Sequence, residues 1–175
     1  ILTANITDED GISDTITYQW IRGDSAILGA TSMTYTLAQA DVGSVITVTV
    51  NYTDDGSTTE TLMSEGTASV ENVNDAPEAG VLPASIATED VRYASVVSGS
   101  DIDGDDLAYS LNEFAPDWLR IDEKTGKLSG TPGSDDVMKT DGLVYYVSDG
   151  EYRVSSDEFS IEVINVNDAP VISGI

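Results

Sequence analysis

Apolar and polar residues alternate along most of the chain, so that every second residue is apolar within several short runs. Residues 45–52 show this pattern most clearly, since valine, isoleucine and tyrosine alternate there with threonine and asparagine. A period of two predicts β-strands with one buried face. The apolar positions of the predicted strands are Leu2, Ala4 and Ile6; Ile16, Tyr18 and Trp20; Ile46, Val48, Val50 and Tyr52; Leu107, Tyr109 and Leu111; Leu143, Tyr145 and Val147; and Phe159, Ile161 and Val163.

Asp-Gly, Gly-Ser and Pro-Gly steps separate these runs, and β-branched and aromatic residues fill them. Short strands between frequent turns predict an all-β chain of antiparallel sandwich type. Trp20 lies in the middle of a predicted strand, and we interpret it as a core residue between two sheets. Residues 38–42 predict one short helical turn.

The hexapeptide Asn-Val-Asn-Asp-Ala-Pro occurs twice, at residues 72–77 and 165–170, and the copies are 93 residues apart. That spacing matches the length of one β-sandwich domain, and an internal repeat indicates a tandem array. The sequence therefore predicts two tandem domains, at 1–74 and 75–168, with the start of a next repeat at 169–175.

Charge and composition exclude several classes of function. The chain has 32 acidic and 7 basic residues, a net charge of −25, which disfavours nucleic acid and anionic membranes as partners. It has no cysteine and no histidine, so disulfides, thiolate zinc sites and histidine bases are excluded. No apolar run is long enough for membrane insertion. The paired acids fall in turn loops, and we expect no enzyme.

Two groups of motifs resemble known extracellular domains. The first domain resembles the immunoglobulin-like (Ig-like) repeats of giant bacterial surface proteins, and the second resembles the dystroglycan-type cadherin-like domain. The first resemblance is carried by Tyr18-Gln19-Trp20, Gly29-Ala30-Thr31, Tyr35-Thr36-Leu37 and Ala40-Asp41-Val42-Gly43. The second is carried by Asp101-Ile102-Asp103-Gly104-Asp105, Pro116-Asp117-Trp118-Leu119, Thr125-Gly126 and Leu128-Ser129-Gly130-Thr131-Pro132.

The hexapeptide resembles the calcium-binding linker of cadherins and of repeats-in-toxin adhesins, although the second asparagine and the Asp-Arg-Glu triplet of cadherins are missing. The resemblance implies a calcium-rigidified structural or adhesive segment of a large secreted or bacterial cell-surface protein. Its partners would be neighbouring repeats of the same chain and an extracellular polysaccharide or protein ligand.

A calcium site is predicted where the linker enters the second domain. In an Ig-like sandwich, the early loop 101–106 and the late loop at Asp149 lie at the pole that receives this linker. Ca²⁺ takes six to eight oxygen ligands, whereas Mg²⁺ keeps most of its waters. Simple turn chemistry is the alternative for an Asp-Gly step. The predicted ligands are Asn72, Asn74, Asp75, Asp101, Asp103, Asp106 and Asp149.

Two further, incomplete sites are predicted by the same reasoning. The first domain offers Asp8, Asp10 and Asp55 at its equivalent pole. The far end of the second domain offers Glu89, Asp136, Asn167 and Asp168. We expect each to bind weakly, if at all.

A second class of function is a binding module for carbohydrate or protein, attached to an extracellular polysaccharide-degrading enzyme. Tyr93, Tyr146 and Tyr152 are its candidate residues. A coplanar exposed pair would favour sugar binding, and isolated or buried rings would favour a spacer.

The resemblance also implies a first strand before Ile1, which this sequence lacks. The apolar residues after the second hexapeptide, Val171, Ile172, Ser173, Gly174 and Ile175, stand where a next repeat would begin its first strand. Weak self-association by strand addition is therefore one expectation; a frayed end is the other.

Overall fold

The computed structural model describes residues 1–9, 11–12 and 15–170. The chain divides into two compact units, Ile1–Val73 and Asn74–Ile175. Within the described residues both units consist of β-strands and turns, with a single turn of 3-10 helix in each. The prediction of an all-β chain is confirmed, and the predicted turn at 38–42 is observed at Gln39–Asp41.

The described residues of the first unit form two antiparallel sheets. One has the strand order β3-β2-β5-β6, and the other pairs β1 with β4. The strands are β1 (Leu2–Thr3), β2 (Thr17–Arg22), β3 (Ser25–Ala26), β4 (Thr34–Tyr35), β5 (Ile46–Thr53) and β6 (Thr59–Met63).

Trp20 lies at the centre of the core of the first unit, as predicted. It is 3% exposed and stacks on Tyr35 of the other sheet, with ring centroids 5.7 Å apart. Its indole Nε1 donates a hydrogen bond of 2.9 Å to the carbonyl oxygen of Ser32. In β5 buried and half-buried residues alternate, from Ile46 at 1% exposure to Tyr52 at 5%. The period of two in the sequence thus marks the buried face correctly.

The second unit contains four small sheets around one core. Their strand orders are β10-β7, β11-β15-β16, β12-β13-β9 and β14-β17-β8. The strands are β7 (Glu78–Ala79), β8 (Ile86–Thr88), β9 (Tyr93–Val96), β10 (Gly99–Ser100), β11 (Ala108–Leu111), β12 (Arg120–Ile121), β13 (Lys127–Gly130), β14 (Lys139–Leu143), β15 (Tyr145–Ser148), β16 (Arg153–Ser155) and β17 (Phe159–Ile164).

The core of the second unit draws residues from different sheets. Leu128, Leu143, Tyr145, Val147 and Ile161 are at most 1% exposed and belong to one cluster. Pairing is antiparallel except that β17 and β8 run parallel among the described strands. Alternation marks buried faces but carries no strand direction, so the sequence did not predict the parallel pair.

Two of the motifs that carry the second resemblance pack against each other. Gly130 ends β13 and lies against the backbone of Trp118. A Cβ at position 130 would overlap the carbonyl oxygen of Trp118 and lie 2.9 Å from its ring atom Cε3. The Trp118 ring meets Tyr93 edge-on, with centroids 5.7 Å apart. Glycine is therefore required at 130 by close approach of the main chain.

Candidate metal centre

The loop after β10 folds back on the side chain of Asp101. Asp101 Oδ1 accepts hydrogen bonds from the amides of Asp103, at 2.8 Å, and Gly104, at 3.2 Å. Gly104 has a φ of 81°, a conformation that glycine adopts without strain. This part of the loop is ordinary turn chemistry, as the alternative interpretation expects.

Turn chemistry does not account for the second oxygen of the same carboxylate. Asp101 Oδ2 is buried and has no hydrogen-bond partner among the described residues. A buried oxygen without a partner is costly, because it has lost water and gained nothing in exchange. One carboxylate of this loop therefore has a free coordination position that faces away from solvent.

Two other aspartates of the loop lie close to the Asp101 carboxylate. One carboxylate oxygen each from Asp101, Asp103 and Asp105 lies within 4.8 Å of the others. Such a separation fits oxygen atoms that share one Ca²⁺ at 2.3–2.6 Å. A cation shared by the three carboxylates would bind the same Asp101 carboxylate that carries the unpartnered Oδ2.

The segment that begins the second unit is hydrogen-bonded to the same pole. The amide of Asp75 donates to Asp103 Oδ2 at 2.7 Å, and Asn74 Nδ2 donates to Asp149 Oδ2 at 3.0 Å. Asp149 Oδ1 in turn accepts from the amides of Glu151, at 2.7 Å, and Tyr152, at 2.6 Å. Three segments distant in sequence are thus brought together, as the sequence predicts.

The charges at this pole affect its carboxyl groups differently. Loss of hydration is the largest cause that raises the pKa of Asp105, and repulsion by Asp101, Asp103 and Asp149 raises it further. Loss of hydration also opposes ionisation of Asp149. The hydrogen bonds from Tyr152, Asn74 and Glu151 outweigh that effect and lower the pKa of Asp149. The pole therefore concentrates negative charge that a cation would relieve.

Not every predicted ligand lies in this group. The structure brings together Asn74, Asp75, Asp101, Asp103 and Asp149, and adds Asp105, which the predicted set omitted. Asp106 is exposed and is not among the three gathered acids. Asn72 lies in the first unit, where its Oδ1 accepts a hydrogen bond of 3.0 Å from Gln39.

The match to a known protein family lies in the second unit. Residues 76–164, just over half of the chain, match the family described as "Putative Ig domain". The chain belongs to this family. No protein of curated function matches the chain in sequence. Among the described residues, no helix has the length and apolar character needed to cross a membrane.

Solved structures similar to this Ig-family chain include cadherin repeats. Mouse cadherin-23 EC22-24 is 16% identical with a TM-score of 0.50, over 86% of this chain and 53% of that one. Human protocadherin-24 EC1-2 is 22% identical with a TM-score of 0.40, over 52% of this chain and 44% of that one. The Ig-family chain thus spans about half the length of these structures. At 16% identity the likeness to cadherin-23 shows the fold alone.

A second acidic group lies at the far end of the Ig-family unit. It consists of Glu89, Asp90 and Asp168, whose carboxylate oxygens lie within 4.8 Å of one another. Glu89 is 1% exposed, and its Oε2 accepts a hydrogen bond of 2.8 Å from the amide of Val166. The sequence named Glu89 and Asp168 but missed Asp90, which has a φ of 58°.

The other two ligands predicted for this far end have local roles. Asp136 Oδ2 accepts a hydrogen bond of 2.8 Å from the amide of Gly133 and closes the turn at Ser134–Asp136. Asn167 Nδ2 donates to the carbonyl oxygen of Asp168 at 3.4 Å. The structure does not place either residue in the group of three acids.

The structure describes two of the three acids predicted as metal ligands in the first unit, Asp8 and Asp55. Asp8 Oδ2 accepts a hydrogen bond of 2.5 Å from the Tyr52 hydroxyl. This bond is the largest cause, followed by loss of hydration, that raises the pKa of Tyr52 to about 12. Asp55 lies against the backbone of Gly11. Asp10 lies outside the described residues. The predicted site at this pole stays a prediction.

The three candidate sugar-binding tyrosines differ in their surroundings. Tyr93 is 5% exposed, and its hydroxyl donates to the Ala84 carbonyl oxygen at 2.6 Å. The Arg153 guanidinium covers the Tyr146 ring, 3.7 Å from its centroid. Tyr152 is 43% exposed. This arrangement favours a spacer over a carbohydrate site.

One buried acid was not recognised as important from the sequence. Asp41 is fully buried and accepts hydrogen bonds from Arg22 Nε at 2.7 Å, the Tyr35 hydroxyl at 2.9 Å and the Ala38 amide at 2.8 Å. Burial alone would raise the pKa of Asp41. The bonds from Ala38, Arg22 and Tyr35 outweigh burial and hold the pKa of Asp41 below its ordinary value. Since Arg22 is the single base of residues 1–74, the sequence did contain a signal for this pair.

Proposed function

We propose that the chain is a structural and adhesive segment of a large secreted or bacterial cell-surface protein, of repeats-in-toxin type. We propose further that it binds Ca²⁺ where the second unit begins. Asp101 carries this proposal, because its Oδ2 is buried without a described partner beside two other carboxylates. Asp103, Asp105 and Asp149 would complete the carboxylate set, and Asn74 and Asp75 would contribute from the incoming segment.

The donor set suits Ca²⁺ better than other metals. The chain lacks histidine and cysteine, so only oxygen ligands are offered. Calcium accepts many oxygens in flexible geometry, whereas Mg²⁺ requires a strict octahedron and retains its waters. Neutralising several carboxylates at once removes repulsion between them, and this gain adds to the coordination itself.

An ion at this pole would have a mechanical effect. Asn74 and Asp75 follow directly after the first unit, and both are already hydrogen-bonded to aspartates of the cluster. A cation held by the same aspartates would fix this connecting segment to the loops of the second unit. In a tandem array, fixing each connection reduces the freedom between repeats and stiffens the array. Stiffness that depends on calcium suits a protein that projects from a cell.

Calcium titration of the whole chain tests the proposal. We expect the Asp101→Asn, Asp103→Asn double variant to bind Ca²⁺ at least about tenfold more weakly in isothermal titration calorimetry. At a calcium concentration of 100 times Kd, the parent chain should gain about 2.7 kcal/mol. That gain corresponds to a rise of roughly 10–20 °C in the melting temperature of the second unit. At the same calcium concentration, a double variant that binds tenfold more weakly should gain only about 1.4 kcal/mol and should lose about half of this rise.

A matched control separates ligation from net charge. The Asp117→Asn, Asp157→Asn double variant removes the same two charges from exposed positions of the same unit. It should bind calcium as the parent does. Limited proteolysis reports the mechanical effect, since calcium should protect residues 72–77 from cleavage in the parent and the control only. Equal calcium affinity in the parent and the Asp101→Asn, Asp103→Asn variant would contradict the proposal.

A further inference from the structure

The sheet β12-β13-β9 of the second unit has an outer face that carries basic residues. In its central strand Leu128 is fully buried, so Lys127 and Ser129 on either side of it lie on the outer face. The register places Ser129 between Arg120 of β12 and Ala94 of β9. We call this surface the basic face, and it consists of Arg92, Ala94, Val96, Arg120, Lys127 and Ser129.

The row of β9 residues completes the basic face at both ends. Val96 stands opposite the lysine of β13. Arg92 lies two residues before Ala94, which places it on the same side of an extended chain. The chain stays beside β13 at this point, since the amide of Asp90 donates a hydrogen bond of 2.9 Å to the carbonyl oxygen of Pro132. Among the six residues only the serine is partly buried, and the others are exposed.

The basic face differs in charge from the rest of the chain. It holds three of the seven basic residues and none of the 32 acidic ones. Across the described residues none of these three bases forms an ion pair, whereas Arg22 and Lys139 pair with acids at 2.7 Å and 2.5 Å. The acid that follows β12, Asp122, is engaged in its own turn, where its Oδ1 accepts the amide of Thr125 at 2.9 Å. The three bases can therefore bind an anionic group from outside.

Small residues separate the bases and keep the face shallow. Opposite residues on neighbouring strands have Cβ atoms about 4.5–5.5 Å apart, and diagonal neighbours about 7–8 Å. Arg120 and Lys127 are diagonal neighbours, because Lys127 is two residues before Ser129. Their long side chains can reach one anionic group beside the Ser129 hydroxyl, which is a further donor. Arg120 Nη1 donates to the carbonyl oxygen of Leu119 at 3.0 Å, and a guanidinium has further N–H donors for a ligand.

The composition of the basic face indicates the chemical class of its ligand. Its two guanidinium groups suit carboxylates, which they bind through paired hydrogen bonds. The face has no aromatic residue and only one larger apolar residue, Val96, whereas protein partners need apolar anchors and nucleic-acid bases need stacking. A hydrophilic polymer with carboxylates at intervals needs neither. We propose that the basic face binds an acidic polysaccharide through its uronate carboxylates.

The net charge of −25 restricts this contact to a sparsely charged ligand. Duplex DNA carries one charge per about 1.7 Å of its axis, whereas a uronate polymer carries one charge per sugar. Repulsion by acids elsewhere on the chain is largely screened beyond about 8 Å at physiological ionic strength. We expect a weak contact, with Kd on the order of 0.1–1 mM. Several repeats bound along one polymer would raise the overall affinity.

This ligand assignment rests on the proposed adhesive function, to which it adds a class of ligand. The basic face shares no residue with the proposed calcium site, and binding is measured in excess chelator. Failure of polysaccharide binding would therefore leave the calcium proposal standing. Failure of calcium binding would likewise leave the basic face standing.

Isothermal titration calorimetry of the whole chain with oligogalacturonate tests the assignment. The Arg120→Gln, Lys127→Gln double variant should bind at least about tenfold more weakly than the parent. The Lys139→Gln, Arg153→Gln control removes the same two charges from exposed positions on β14 and β16, and it should bind as the parent does. Equal weakening in both variants, or a parent that does not bind at about 5 mM sugar, would overturn the proposal.

Two further probes test the class of ligand. Neutral dextran should not bind, because it has no carboxylate. A poly-glutamate peptide of equal charge should bind at least about threefold more weakly than oligogalacturonate, because a flexible peptide must be ordered on binding. A peptide that binds as tightly as the sugar would assign the face to an acidic protein partner, and dextran that binds as tightly would show that charge is not recognised. Either result would overturn the proposal.

Discussion

The Gly130→Ala substitution is expected to lower the melting temperature of the second unit by roughly 12–24 °C. The added methyl group would overlap the carbonyl oxygen of Trp118 and crowd its ring. Because the obstacle is main chain, no side-chain rotation relieves it, and β13 must move away from its neighbour. Overpacking of this kind costs about 3 kcal/mol or more. The loss should appear in the second unit alone.

A nearby glycine provides the control for Gly130. Gly133 has a φ of −101°, and a Cβ there would meet no atom closer than 3.9 Å among the described residues. Gly133→Ala should therefore be neutral, or stabilise by about 0.4–1 kcal/mol through the unfolded state.

The two units can be followed separately, because each contains one tryptophan, Trp20 or Trp118. In a Trp20→Phe background, the fluorescence of Trp118 reports unfolding of the second unit. Similar melting temperatures for Gly130→Ala and Gly133→Ala would show that the backbone contact with Trp118 is unimportant.

Strands were predicted well because their signal is local. The alternation of β5 is set by burial of one face, and Ile46 to Tyr52 follow it residue by residue. Strand pairing is not local, and the parallel contact of β17 with β8 joins residues more than 70 positions apart. Nothing in either strand alone indicates that partner or its direction.

The candidate site was predicted at the level of loops rather than side chains. The sequence indicated which loops converge, since that follows from the order of strands in the sandwich. It did not indicate that Asp105, rather than Asp106, joins Asp101, because that choice depends on the backbone path through Gly104. The sequence also did not indicate that Asp90 joins Glu89 and Asp168. The direction of the Asp90 side chain depends on its positive φ, which no neighbouring residue indicates.

Removal of the buried carboxylate of Asp41 is expected to destabilise the first unit by about 3 kcal/mol. The Asp41→Ala variant leaves Arg22, Tyr35 and the Ala38 amide without their acceptor. Arg22 is partly exposed and can recover water, which keeps the loss near the lower end of the range for buried ion pairs. The melting temperature of the first unit should fall by roughly 12–24 °C.

The exposed acid Asp24 provides the matched control in the same unit. Asp24→Ala should change the free energy of unfolding by no more than about 0.5 kcal/mol. The measurement uses Trp20 fluorescence in a Trp118→Phe background. A loss for Asp41→Ala as small as that of the control would mean that the buried network contributes little to stability.

Asp41 also makes the stability of the first unit depend on pH, and its contribution to stability decreases as pH falls. Its pKa is lower in the folded state than its ordinary value of 3.8, so the unfolded chain binds its proton more readily. The contribution of Asp41 is therefore complete above the ordinary pKa and is lost as pH falls through the folded pKa. In Asp41→Asn this dependence is absent. The difference in unfolding free energy between the parent and Asp41→Asn should shrink as pH is lowered from about 5 to about 2. A difference that stays constant over that range would show that folding does not lower the pKa of Asp41.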